Sequence, residues 1–123
     1  MGGIWSSTSE ESKLGFEMAL AKAKEIVSSN PVVVFSKSYC PYCTRVKQLL
    51  NKLGAAFKVV ELDVESDGSE IQSALAEWTG QRTVPNVFIN GKQIGGCDKT
   101  MEMYSSGKLV PLLTEAGAIA SAS

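Results

Sequence analysis

The chain has 123 residues, 44% hydrophobic and 20% charged, which suits one domain with a single buried core and a soluble surface. Twelve Lys and Arg against thirteen Asp and Glu leave a net charge of -1, so no field of one sign exists to hold nucleic-acid phosphates. The absence of histidine excludes Ser-His and Cys-His nucleophile pairs and any imidazole metal site, and three cysteines, two of them three positions apart, do not make a secreted disulfide framework.

Residues 1–9 are Gly- and Ser-rich and are expected to form a flexible segment, followed by one domain over 10–118 and a flexible tail over 119–123. The opening residues lack the charged and apolar regions of a signal peptide, and no apolar run approaches the ~20 residues that span a bilayer. From about Glu10 to Ser29, Phe16, Leu20, Ala23 and Val27 share one helical face, and Pro31 stops the helix. Val32-Val33-Val34-Phe35 is a continuous β-branched run suited to a strand buried on both faces. From Cys40 to Leu53, Val46, Leu49, Leu50 and Leu53 fall at helical spacing, with Gly54 as the stop. Phe57 to Leu62 reads as the next strand, which completes a right-handed βαβ unit. A third helix is expected to begin at Ser66–Asp67, with these residues as its cap, to bury Ile71, Ala74, Leu75 and Trp78, and to end at Gly80. Pro85 opens the strand Asn86–Ile89; Asn90-Gly91 is a strong hairpin signal, and Lys92–Ile94 returns antiparallel. Asp98 to Ser106 and Leu109 to Ala116 read as two short helices broken at Gly107. The expected fold is α/β, a four-stranded mixed sheet with helices on both faces.

The chemistry concentrates in Lys37-Ser38-Tyr39-Cys40-Pro41-Tyr42-Cys43, between a buried strand and a striped helix. Pro41 suits the first helical turn. Cys40 then falls at the helix N-terminus, where unpaired N–H groups and the dipole favour a thiolate. Lys37 and Arg45 are near enough in sequence to add positive charge. Cys43 lies on the inward stripe and should keep a higher pKa. Cys40 would attack a disulfide sulfur and Cys43 would release the resulting mixed disulfide. A closed zinc site needs about four ligands and only Cys97 remains; two buried structural cysteines would leave the strand–turn–helix placement unexplained. Thr83-Val84-Pro85 is a candidate for a cis bond and a free backbone edge that pairs with an extended peptide, or else a plain strand-entry proline. Gly95-Gly96-Cys97-Asp98 starts a helix whose N–H groups suit a carboxylate and whose Asp98 suits an ammonium. The alternative is a Gly turn with Asp98 as a simple N-cap.

Together, Cys40-Pro41-Tyr42-Cys43, Thr83-Val84-Pro85 and Gly95-Gly96-Cys97-Asp98, in that order within about residues 20–117, resemble a glutaredoxin of the dithiol, class I, plant-like type. Gly80-Gln81-Arg82 and Gly107-Lys108-Leu109 add to the likeness. The resemblance implies a thioredoxin fold and a glutathione-dependent thiol-disulfide oxidoreductase acting on protein–glutathione mixed disulfides and protein disulfides. It implies Cys40 as nucleophile and Cys43 as resolving thiol. Lys37, Tyr42 and Gln72 would help hold glutathione, Thr83, Val84 and Pro85 would align its cysteinyl part, and Gly96, Cys97 and Asp98 would hold its γ-glutamyl end. The alternative is a dimer that bridges a [2Fe-2S] cluster through Cys40 and glutathione, which the rigid ring of Pro41 disfavours. Cys97 departs from the many relatives with a non-thiol residue there, either as an inert buried thiol or as a second oxidation site. A cytoplasmic monomer with glutathionylated and disulfide-containing proteins as partners is the expected setting. Met1-Gly2-Gly3-Ile4-Trp5-Ser6 also fits the N-myristoylation pattern at Gly2, and a single acyl chain would give only weak, reversible membrane contact.

Overall fold

The computed structural model describes residues 3–120; Gly2 and its acylation motif's first residues lie outside that range. Helix α1 (Gly3–Ser29) leads into β1 (Val32–Ser36), α2 (Pro41–Lys52), β2 (Lys58–Glu61), α3 (Gly68–Thr79), β3 (Asn86–Ile89), β4 (Lys92–Gly95), α4 (Cys97–Ser105) and α5 (Leu109–Glu115). The sheet order is β2-β1-β3-β4, with β1 parallel to β2 and antiparallel to β3, and β3 antiparallel to β4. Among the described residues no helix is long and apolar enough to cross a membrane.

Strand β1 is central, and all five of its residues are buried. Its period of two divides the core. Val32 and Val34 face one layer with Val46, Leu50, Leu109 and Leu113 from α2 and α5. Val33 and Phe35 face the other with Ala19, Ala23, Ile71 and Leu75 from α1 and α3. Phe88 on β3 anchors that second layer, edge-on to Phe35 at 5.7 Å and stacked on Trp78 at 5.1 Å between ring centroids. The hairpin turns where expected, with Asn90 at φ 53° and Gly91 at φ 80°, the left-handed pair that a two-residue turn needs.

Several details differ from expectation. Helix α1 begins at Gly3 rather than near Glu10: no Pro or Gly interrupts the chain from Ile4 to Leu14, and the Ser and Thr residues read as a flexible segment have adequate helix propensity. Helix α4 begins one residue earlier, at Cys97. Ile119, assigned to the tail, packs against the core, and Ala118 O accepts from Ala56 N–H at 2.9 Å. Asp67 does occupy the N-cap position of α3, yet makes no side-chain cap bond. Its carboxylate instead reaches Lys22 Nζ at 2.9 Å and ties α3 to α1.

Gly68 has a role invisible in the sequence. A Cβ there would sit 1.7 Å from Leu62 O, because the α3 start is pressed onto the end of β2. Gly15, within α1, has nothing within 4 Å of such a Cβ. The two sites should therefore respond oppositely in urea melts. Gly68→Ala is expected to cost about 1–3 kcal/mol by overpacking, and Gly15→Ala to add about 0.5–1 kcal/mol through helix propensity.

Candidate active site

Cys40 is the N-cap residue of α2, with extended φ -84° and ψ 119°, and Pro41 takes the first helical position. Proline has no N–H to waste there and its preset φ continues the helix. The cap conformation turns the Cys40 side chain back over the helix start. Its Sγ accepts from Cys43 N–H at 3.4 Å. Burial pushes the Cys40 thiol up, but the Cys43 N–H, the Cys43 side chain, the Tyr42 N–H and the charge of Lys47 together outweigh it and hold the thiol below its ordinary range. Cys43 is fully buried. Burial pushes its thiol up, and the neighbouring Cys40 adds to this, against opposing donation from Lys37 N–H and the Ser36 hydroxyl. The two sulfurs are thus shifted in opposite directions, Cys40 toward the thiolate and Cys43 away from it.

The cation whose charge helps lower the Cys40 thiol, by the smallest of these contributions, is not one the sequence reading singled out. Lys47 stands seven residues on from Cys40 and four on from Cys43, which brings it to the same helix face. It is paired with Glu61 Oε2 at 3.0 Å. Arg45 instead lies over the Tyr42 ring, 5.9 Å from its centroid, and its charge acts on Cys97. The charge of Lys37 acts on Asp63, whose carboxyl is held below the usual carboxylate range chiefly by hydrogen bonds from the Ser38 hydroxyl and N–H.

Opposite the helix start, the Val84-Pro85 bond is cis, and Val84 O lies 3.9 Å from Cys40 Sγ. A cleft of about 560 Å³ opens beside it, walled by Tyr42, by the loop Thr83–Val84–Pro85, and by Gly96, Cys97 and Asp98 at the start of α4. Gly96 is the N-cap of α4 and leaves that helix's first N–H groups toward the cleft. Asp98 stands exposed in the first turn and is not the cap residue. Cys97 is buried and its thiol is pushed up by that burial. Seven of the expected site residues are therefore brought to one cleft next to Cys40 and Cys43. Lys37 and Gln72 are not among its walls; Gln72 Nε2 donates to Arg82 O at 2.9 Å.

Two walls were missed, Gln81 and Lys99. Gln81 Nε2 donates to Thr83 O at 3.0 Å and to Pro85 O at 2.9 Å. Its place two residues before Thr83, within the Gly80-Gln81-Arg82 stretch that adds to the family likeness, was the available signal. Among the described residues no three Cys, Asp or Glu side chains gather as a metal site. For the [2Fe-2S] alternative, Cys40 is the one cysteine that is not buried.

A family model described as Glutaredoxin matches residues 32–94. Over 104 residues the chain is 78% identical to Glutaredoxin-C6 of Oryza sativa subsp. japonica, covering 85% of this chain and 93% of that one. Over 102 residues it is 76% identical to a glutaredoxin of Vernicia fordii, covering 83% and 98%. The crystal structure of a buckwheat glutaredoxin–glutathione complex superposes with a TM-score of 0.85 at 65% identity, covering 86% of this chain and 96% of that chain.

The electrostatics of the site make one sign-specific prediction. Lys47→Gln removes the cation that favours the Cys40 thiolate, so the pH midpoint of Cys40 alkylation by iodoacetamide should move up. Arg45→Gln should leave that midpoint in place, and equal shifts in both variants would contradict the assignment.

Proposed function

The chain belongs to the glutaredoxin family, and on that premise we propose how its own residues perform glutathione-dependent thiol-disulfide exchange. The protein is a glutathione-dependent thiol oxidoreductase with a thioredoxin fold. The observation that carries the residue assignment is the position of Cys40 Sγ, held by the first turn of α2 and 3.9 Å from the Val84 carbonyl at the cleft wall. A lowered pKa raises the thiolate fraction at a given pH, and thiolate is the attacking species.

In the proposed cycle the Cys40 thiolate attacks the glutathionyl sulfur of a protein–glutathione mixed disulfide. A Cys40–glutathione disulfide forms, and the protein thiolate leaves and takes a proton from water. A second glutathione, as thiolate, attacks the glutathionyl sulfur of the adduct. Oxidised glutathione departs, and Cys40 leaves as the thiolate that the helix start favours, which makes it a good leaving group as well as a nucleophile. With a protein disulfide, Cys40 forms a mixed disulfide with one substrate sulfur. Cys43 then gives up its proton and attacks the Cys40 sulfur, releasing the substrate dithiol and forming a Cys40–Cys43 disulfide that two glutathiones reduce. Cys43 is needed only on this second route, in keeping with its burial.

Glutathione is proposed to lie along the cleft. Its cysteinyl backbone pairs with Val84, beside Thr83 and Pro85, as an added strand. Its γ-glutamyl carboxylate meets the α4 N–H groups at Gly96–Asp98, and its ammonium meets the Asp98 carboxylate. Tyr42 forms one wall of the cleft, while Lys37 and Gln72, expected to help hold the tripeptide, lie outside its walls, with Gln72 Nε2 donating to Arg82 O.

The two cysteines should separate cleanly in assay. Cys40→Ser is expected to reduce glutathione-coupled turnover of a glutathionylated peptide to background. Cys43→Ser should retain most of that turnover and lose reduction of a protein disulfide. An inert Cys43→Ser protein beside an active Cys40→Ser protein would reverse the assignment.

A further inference from the structure

We propose that Gln93, on β4 and outside the cleft walls, is a positioning residue that acts through Gln81 to set which way the Thr83–Val84–Pro85 backbone faces. The proposal deepens the reading above and rests on Val84 being the edge that pairs with the glutathionyl substrate.

A chain of hydrogen bonds runs from α3 to the loop, and the polarity of each link dictates the next. Thr79 Oγ1 donates to Leu75 O at 2.7 Å in the last turn of α3. Its single hydrogen is then committed, so the oxygen can only accept. It does so from Gln81 N–H at 3.1 Å and from Asn86 Nδ2 at 3.4 Å. With Nδ2 so directed, Asn86 presents Oδ1 to Gln93 Nε2 at 3.0 Å. The same Gln93 amide nitrogen donates to Gln81 Oε1 at 3.2 Å. Gln81 must therefore turn Nε2 toward the loop, where it holds Thr83 O and Pro85 O at 3.0 and 2.9 Å. Asn86 is only 1% exposed, so its Oδ1 depends on Gln93 rather than on water, while the Gln93–Gln81 bond lies at the surface.

The consequence falls on the residue between those two carbonyls. With Thr83 O and Pro85 O both drawn to Gln81, the Val84 carbonyl points to Cys40 instead, and the Val84 N–H has no partner among the described residues. That suits a docking strand: the Val84 N–H is a free donor, and among the described residues the Val84 carbonyl accepts only from the Cys40 thiol at 3.9 Å, a bond that ends when the thiol ionises. Gln93 supplies the donor that keeps Gln81 from presenting its oxygen to the loop. It touches neither the cleft nor the sulfur.

The test is Gln93→Glu against Gln93→Ala. The carboxylate in Gln93→Glu has nearly the same shape but no donor. It faces Asn86 Oδ1 and Gln81 Oε1, turns both amides over, and sets Gln81 Oε1 against two carbonyls. Two readouts are taken on the full chain: kcat/KM for a glutathionylated peptide with glutathione, and the rate of Cys40 alkylation by iodoacetamide. We expect kcat/KM to fall about tenfold in Gln93→Glu and about threefold in Gln93→Ala, the scale of one or two hydrogen bonds. Alkylation should match the wild type in both, because the start of α2 is untouched. The proposal is overturned if kcat/KM in both variants stays within about twofold of wild type, or if alkylation falls in parallel with it. Should Gln93→Glu fail to fold, Gln93→Ala alone decides. A wild-type protein inert with the peptide would instead refute the underlying glutathione reading, a separate and recognisable failure.

Discussion

Two opposing forces meet on the Cys40 sulfur, and the rest of the site depends on which wins. Burial at the junction of a strand and a helix disfavours a thiolate. The open N–H groups of the first turn of α2 favour it, and Lys47 adds a charge on the same side. Everything that keeps α2 rigid therefore bears on reactivity. Pro41 fixes the first turn, while Val46, Leu49 and Leu50 seat the helix on the sheet. β1 is buried on both faces and cannot shift without disturbing both core layers. A sulfur at the tip of so well-anchored a helix has its surroundings set before any substrate arrives, which is preorganisation in the electrostatic sense.

The second half of the site comes from the opposite side of the sheet order. The turn into β3 brings Thr83–Pro85 within reach of Cys40, and β4 delivers the start of α4 to the far wall. The cleft joins three backbone features: a helix start that holds the sulfur, a loop edge that can take a strand, and a second helix start that can take a carboxylate. Side chains tune this frame. Asp98 places one negative charge among the N–H groups, and Gln81 keeps the loop carbonyls turned in. Such a cleft selects a small peptide by its backbone and charged end, and leaves the protein attached to that peptide free to vary.

Much of this was legible in the sequence because it is local. Val32–Phe35 declares a buried strand, Asn90-Gly91 a tight hairpin, and Cys40-Pro41 a helix start with a thiol at its cap. Seven cleft residues follow from three short motifs. What escaped depends on tertiary neighbours. Sequence proximity favoured Lys37 and Arg45 as the cations acting on Cys40, but the charge that acts on it is that of Lys47, which arrives by helical spacing, while Lys37 acts on Asp63 and Arg45 on Cys97. Asp67 looked like a cap because Asp often is one; Lys22 on α1 offers its carboxylate another use. Gly68 is small because the end of β2 presses on it. Gln81, Asn86 and Gln93 belong to three separate segments, and only the folded chain shows that they are one hydrogen-bonded unit.

The most direct test of the central claim is a thiolate titration of the native protein, followed by its ultraviolet absorbance as pH rises. Cys40 is held below an ordinary thiol, and Cys43 and Cys97 are held above one. The account predicts one sulfur's worth of absorbance appearing early, lost in Cys40→Ser, and the remainder appearing only beyond the range of a free thiol. Simultaneous ionisation of all three, or an early step that survives Cys40→Ser, would contradict it.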